Sequence, residues 1–344
     1  MKNIFLLSWV MLTVSAFSQN TYKSAVISFY NFENFYDTIF HGSYDDIAFT
    51  PNGSKAYTRN VFNDKVAKLA KVLSQVATDQ NPDGPALLGV AEIENKYVLD
   101  TLLCHPLIAE RKYQYVHYDS KDLRGLDVAL IYNPKYFKVE KSRPVFVKIP
   151  QGTKDAVYTR DVLWVRGLLD GERIHVFVNH WPSRYGGEKR SEPARMAAAN
   201  TIRRFIDSLL IIDPASKIIV MGDFNDDPVN RSIIKGLKAT SDTKNIGPDD
   251  LYNPWAGLYK SGQGTLAYQN AWSLFDQILI SSSFLNRDQN GFFYYKHNVF
   301  KADYMIENTG PYKGYPMRTY SGDVYRGGYS DHFPTYIVLV KKVE

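Results

Sequence analysis

An aspartate and an asparagine two positions apart, Asp223 and Asn225, follow the apolar run Ile218–Met221 in the segment KIIVMGDFND. Such a run predicts a strand buried on both faces, and Gly222 permits a sharp turn. The two polar side chains are then expected at the strand's carboxyl end, where open α/β sheets usually place their chemistry. The construction recurs along the chain. Asn31 and Glu33 follow Ala25–Tyr30, Glu92 follows Leu87–Val90, Asn179 and His180 follow Val176–Val178, and Asp331 and His332 precede Thr335. Strand ends converging on one rim would gather these carboxylates, carboxamides and two imidazoles. Phosphoester hydrolysis needs such a set: a cation on the non-bridging oxygens, an activated water in line with the leaving group, and a donor for the departing oxygen. Hard oxygen ligands suit Mg²⁺, with Mn²⁺ or Ca²⁺ as alternatives. Glu92 is the first metal ligand on this reading, Glu33 and Asp331 are secondary ligands, and Asn31 is a neutral neighbour.

The elements that must hold these residues are readable from apolar spacing. Strands are predicted over Ala25–Tyr30, Leu87–Val90, Leu126–Tyr132, Val162–Val165, Ile174–Val178, Ile218–Met221, Phe275–Ile280 and Thr335–Val340. Apolar residues at Val61, Val66, Leu69, Val72, Leu73 and Val76 fit the helical period, with Asn60 as cap. A second helix is expected from a Ser191 cap through Ala197, Ile202, Phe205 and Leu209, with Pro193 in its first turn and Pro214 ending it. Two helices among mixed strands predict a four-layer α/β sandwich: two packed mixed sheets flanked by helices. The Tyr- and Gly-rich stretch from Phe292 to Tyr329 reads as loops and short strands around one rim.

The chain has 344 residues, 44% of them hydrophobic, which is ample for a core without cross-links; Cys104 is its only cysteine and excludes an internal disulfide framework. Lys2, the apolar stretch Ile4–Val14 and Ala16-Phe17-Ser18 form the pattern of a cleavable signal peptide over residues 1–18, leaving 19–344 as one domain, exported to the periplasm or beyond. Later stretches fall short of the ~20 apolar residues of a spanning helix, so no stable membrane association is expected. Lysine and arginine exceed aspartate and glutamate by 41 to 36, which permits an anionic substrate without requiring one.

The segments YNFENF, LLGVAEIEN, RGLDVALIY, NHWPSR, IIVMGDFND, FDQIL and YSDHFP, in this order between Ser28 and Leu339, resemble the motif series of the endonuclease/exonuclease/phosphatase superfamily, the deoxyribonuclease I-like fold. The resemblance is strongest to exported bacterial members. It implies that Asp276 pairs with His332, fixing its tautomer and stabilising its charged form. It also implies that Asp223 positions or deprotonates the attacking water, that Asn225 and Asn31 donate to the phosphate, and that His180 is a second catalytic imidazole. Order alone does not decide which histidine is acid and which base, or whether Asp119 or Asp122 partners His180. Arg160, in YTRDVLW, matches an arginine that approaches the scissile phosphate in relatives. Arg184 opens a basic loop, SRYGGEKRSE, suited to phosphate oxygens, whereas Arg124 is a weaker candidate. Glu94 is expected at the surface or behind the site, and Asp127 in a turn. Ala91 departs from the family pattern, in which a glutamine often precedes the metal glutamate.

The expected activity is therefore metal-dependent phosphodiester hydrolysis, with a nucleic acid, DNA or RNA, as the leading substrate. A phosphatase or phospholipase C-like enzyme acting on inositol phosphates or sphingomyelin is the alternative. The third reading, a non-catalytic binding domain, would predict loss of Glu92, Asp223 or His332, and all three are present.

Overall fold

The computed structural model describes residues 21–42, 46–150, 159–288 and 290–343. The signal peptide expected over residues 1–18 lies outside them. Two mixed sheets dominate. The strands in chain order are β1 (Tyr22–Phe35), β2 (Leu87–Ile93), β3 (Gln114–His117), β4 (Asp127–Tyr132), β5 (Phe137–Val145), β6 (Val162–Leu169), β7 (Glu172–His180), β8 (Lys217–Asp223), β9 (Ala239–Thr240), β10 (Leu251–Tyr252), β11 (Leu266–Tyr268), β12 (Ala271–Ser273), β13 (Asp276–Ser281), β14 (Phe293–Val299), β15 (Tyr320–Ser321), β16 (Val324–Tyr325) and β17 (Thr335–Lys342). The first sheet runs β14-β17-β1-β2-β4-β3 and the second β5-β6-β7-β8-β13-β10-β9. In each, one parallel central pair, β1 with β2 and β7 with β8, is flanked by antiparallel neighbours.

The central strands are buried along their length, as their continuous apolar runs require. Ile219, Val220 and Met221 are fully buried, each worth about 1.5–3 kcal/mol relative to exposure. The sheets face one another closely: a side chain on Gly89 of β2 would run into Met221 of β8. Helix α1 (Arg59–Gln75) packs Phe62, Val66, Leu69 and Leu73 into the core of the first sheet, and α2 (Lys96–Leu103) adds Val98, Leu99 and Leu102. Helix α3 (Glu188–Ile212) covers the second sheet, setting Ala198, Ile202 and Ile206 with Phe177 and Val220. A short helix α4 spans Ala256–Lys260. The expected sandwich is the observed one.

Local details differ. Thr58, not Asn60, caps α1, its hydroxyl accepting from Val61 N. Helix α3 begins at Glu188 after Gly187, at φ 111°, and Ser191 lies inside it, donating to the Gly187 carbonyl. Gly222 stays within β8 instead of turning; its need is a close approach, because a Cβ there would strike Asn179. The short helix α2 and the polar strands β3 and β5 are additions to the sequence prediction. Among the described residues no helix is long and apolar enough to cross a membrane.

Candidate active site

Strand register assembles the site. His180, the last residue of β7, pairs with Asp223, the last of β8, and Asp223 pairs with Asp276, the first of β13. Residues in register on neighbouring strands point to the same face, so these three side chains form one row. The other sheet supplies Asn31 and Glu92. Pairing of β2 with β4 slips between Ala91 and Ile93, and Glu92 takes φ 60°. Bulges of this kind re-aim a side chain beside an active site, at a backbone cost that surrounding contacts must offset. Here Asn34 N donates to Glu92 Oε2 at 2.8 Å. Ser330 joins the last segment to β1, donating to the Asn31 carbonyl at 2.7 Å and accepting from His332 N at 3.1 Å.

The predicted groups meet. Asn31 Nδ2 lies 3.3 Å from Glu92 Oε1 and 3.1 Å from Asp223 Oδ2. His180 Nε2 is 3.7 Å from each of those oxygens. His332 Nδ1 is 2.7 Å from Asp276 Oδ2, while its Nε2 faces Asp223 Oδ2 at 3.9 Å and Asp331 Oδ1 at 3.8 Å. Asn225 N donates to Asp223 Oδ1 at 2.9 Å, and the Asn225 amide donates to the Trp181 carbonyl at 3.0 Å.

Burial separates the two imidazoles. It opposes the cationic form of both, but Asp276, Asp331 and Asp223 outweigh it at His332 and hold that ring well above the usual imidazole range. At His180, burial is reinforced by Arg124 and His332 and the pKa falls well below that range. His180 Nδ1 is buried without a partner. An orphaned lone pair is the lesser cost there, so we assign the proton to Nε2, facing the two carboxylates. Burial, with Asp276 and Glu92 adding to it, pushes Asp223 up to about 7 against the pull of His332.

The donor set fits a divalent cation. Glu92 Oε1 and Asp223 Oδ2 share one amide group, and neither forms an ion pair with a lysine or arginine within 4.0 Å among the described residues. Asp331 reaches the same cleft through its Oδ1. Glu33 is turned aside. Thr319 N donates to its Oε2 at 2.7 Å, and Lys65 Nζ stands 3.9 Å from that oxygen, so this oxygen is already engaged by the protein.

Residues 26–341 match the model of the Endonuclease/Exonuclease/phosphatase family. The chain belongs to the endonuclease/exonuclease/phosphatase family. Solved structures agree at the level of fold. An endonuclease/exonuclease/phosphatase family protein from Bacteroides thetaiotaomicron superposes with a TM-score of 0.57 at 18% identity, covering 94% of this chain and 98% of that one. A mannosyl-6-phosphatase from the same organism gives 0.57 at 18% identity, covering 92% and 99%. Danio rerio TDP2, in complex with a single-strand DNA product, gives 0.54 at 12% identity, covering 92% and 98%. No curated protein matches the sequence. Members of this family are metal-dependent phosphoester hydrolases, and that coarse activity holds for this chain.

As a family member the chain has local departures. Arg184 does not face the cleft freely: its guanidinium donates to the Asn225 carbonyl, Asp226, Asp227 and Asn230, and lies over the Phe275 ring at 4.6 Å. Three carboxylates, Glu188, Asp226 and Asp227, already surround it, so its bonds brace the loop after β8. Arg160 is buried and pairs with Asp122 at 3.3 Å. Asp122 also stands 3.8 Å from Arg124, and Asp119 faces His117 at 3.9 Å, so neither aspartate partners His180. Arg124 gains weight. Its half-exposed guanidinium acts on Glu92, Asp223 and His180 together, a coupling that sequence order does not reveal. Asn179 is a strut, bonded to the carbonyls of Phe177 and Met221 and to the Trp181 indole. Glu94 is buried, behind the site and not at the surface, and Asp127 opens β4 instead of sitting in a turn, its Oδ1 accepting from Ser120 N.

Proposed function

We propose that this chain is an exported, Mg²⁺-dependent phosphodiesterase whose substrate is a single-stranded nucleic acid or a nucleic-acid end. The observation that carries the reading is a cavity of about 710 Å³ that begins at Asp331, beside His332, and is lined by Tyr268, Tyr312, Tyr315, Arg318 and Arg326. Tyr268 and Tyr312 are exposed. Exposed aromatic faces interleaved with arginines suit stacked bases and their phosphates, with little base readout.

Glu92 and Asp223, with Asp331 beside them, would hold the cation, which would supply positive charge for the non-bridging oxygens. Asp223, whose Oδ2 faces His332 Nε2 at 3.9 Å, orients the attacking water and takes its proton. Asn31 and Arg124 are placed to bind the phosphate. His332, kept cationic by Asp276, stabilises charge on the phosphorus centre and returns a proton to the departing oxygen as its bond to phosphorus breaks. His180 donates through Nε2 from its neutral form. Export rests on residues 1–18 alone.

A phosphatase reading has one observation in its favour: a single cavity of this volume also accommodates one sugar headgroup, and a mannosyl-6-phosphatase shares the fold. Parallel assays with Mg²⁺ on a single-stranded oligonucleotide, a plasmid, sugar phosphates and a small chromogenic diester separate the two. Oligonucleotide cleavage is expected. Tyr312→Ala should raise its KM by about 5- to 150-fold, from stacking worth about 1–3 kcal/mol per base, and leave the small diester unchanged. Phosphate release from sugar monoesters with the oligonucleotide intact would overturn the proposal.

A further inference from the structure

Glu94, two residues beyond Glu92, belongs to a second group of ligating side chains where β1 and β2 end. Asp37 Oδ2 is 3.2 Å from His41 Nε2, and that nitrogen is 3.7 Å from Glu94 Oε1. One ligating atom from each of the three lies within 4.8 Å of the others. The Asp46 carboxyl adjoins Glu94, and its Oδ2 accepts from His41 N at 3.4 Å. Asp37, Asp46 and Glu94 are all at least nine-tenths buried, at 4%, 2% and 5% exposure.

Part of this cluster is locally satisfied. Glu94 Oε2 accepts from Asp37 N at 2.6 Å and from the Asn95 amide at 3.1 Å; Asp37 accepts from Ile39 N at 2.6 Å and from the same amide at 3.0 Å. Two atoms are not. Glu94 Oε1 and Asp46 Oδ1 are buried without a hydrogen-bond partner, and Glu94 Oε1 points to the gap shared with Asp37 and His41. No lysine or arginine pairs with these carboxylates among the described residues. Three buried carboxyls beside one imidazole lack the cation that such charge requires.

We propose that Asp37, His41, Asp46 and Glu94 bind a second divalent cation, separate from the one at Glu92. The imidazole among oxygen donors favours a first-row transition ion, Mn²⁺ or Zn²⁺, over Mg²⁺ or Ca²⁺. His41 is 37% exposed along its side chain and opens the site to solvent. An ion there would clamp the turn after β1 to the turn after β2. Glu92, near the end of β2, is bonded to Asn34, near the end of β1, so the ion would stiffen the strand ends that lead into both turns. The competing account of the orphaned oxygens is a proton shared between Glu94 and Asp46.

The test uses the full chain, stripped with chelator and titrated with Mn²⁺ or Zn²⁺ by calorimetry, with bound metal counted by mass spectrometry. The background is Glu92→Gln, which weakens the first site. This variant is expected to retain a micromolar or tighter ion that raises its melting temperature. Adding His41→Ala, a change at a half-exposed position, should weaken that ion at least tenfold and abolish the thermal shift; Glu94→Gln should do the same. Absence of a tight ion in Glu92→Gln, or unchanged binding when His41→Ala is added, would overturn the proposal and leave the shared proton as the explanation.

Discussion

Replacing Asp276 with asparagine isolates the charge that sets His332. Asp276 is fully buried, its Oδ2 lies 2.7 Å from His332 Nδ1, and its Oδ1 has no partner. The substitution preserves shape and lets the amide oxygen still accept from Nδ1, so the perturbation is the loss of one negative charge. At about 4 Å between charge centres and an effective dielectric of about 20, that charge is worth about 4 kcal/mol, or about 3 pKa units on the imidazole. Burial already opposes the cation, so His332 should change from protonated to neutral at pH 7. Removing a positioned acid of this kind costs about 10²–10⁴ in rate. The asparagine NH₂ also takes the place of a buried, unpartnered oxygen, for about 1–3 kcal/mol of stability. The assay is kcat on a small diester at saturating Mg²⁺, with the His332 ring titrated by NMR and unfolding followed in urea. A variant with an unchanged His332 titration, or with kcat within threefold of the parent, would refute the charge-holding role.

Two further outcomes follow from residues outside the cluster. Arg184→Ala should lower unfolding stability by about 2 kcal/mol, a discounted value for a guanidinium still 24% exposed, while KM for a small diester stays within threefold; unchanged stability with a tenfold rise in KM would restore a phosphate-binding role. His175 is buried, with Arg166 and Arg173 nearby, and its pKa is pushed down to about 4. The unfolded chain therefore takes up a proton that the folded chain resists. Stability from this group is complete above about pH 6.5 and is lost as the pH falls toward 4, by up to about 3 kcal/mol. Protonation would also break the bond from Trp164 Nε1 to His175 Nδ1. Urea midpoints across this range should flatten in His175→Gln; an unchanged slope would remove His175 from the account.

The central strands were legible because burial on both faces leaves continuous apolar runs, as in Leu87–Val90 and Ile218–Met221. Their polar terminal residues were legible as chemistry, but not as part of the strands themselves: Asn31, His180 and Asp223 all belong to the ladders. Strand β5 was hidden by its sequence, FKVEKSRPV, in which charges and a proline sit at a sheet edge that needs no apolar face. Helix α2 is eight residues long, too short for its period to stand out. At the site, motif order located Glu92, Asp223 and His332. It could not show that Arg184 meets Asp226 and Asp227, because those bonds depend on how two loops fold back on one another. The bulge that turns Glu92 has no sequence signature either, since glutamate is an unusual residue at positive φ.

Lys65 reaches from α1 to the Thr319 hydroxyl and the Tyr329 carbonyl, and stands beside Glu33 on β1. The cavity wall between Gly310 and Tyr329, which has little regular structure of its own, is thus tied to α1 through this ammonium, and to the segment before α1 through Lys55, which donates to the Gly322 carbonyl. Exchanging that wall between homologues to alter substrate choice is then not a local graft. A chimaera that imports it without a compatible lysine and glutamate would carry the right lining on a loosened hinge.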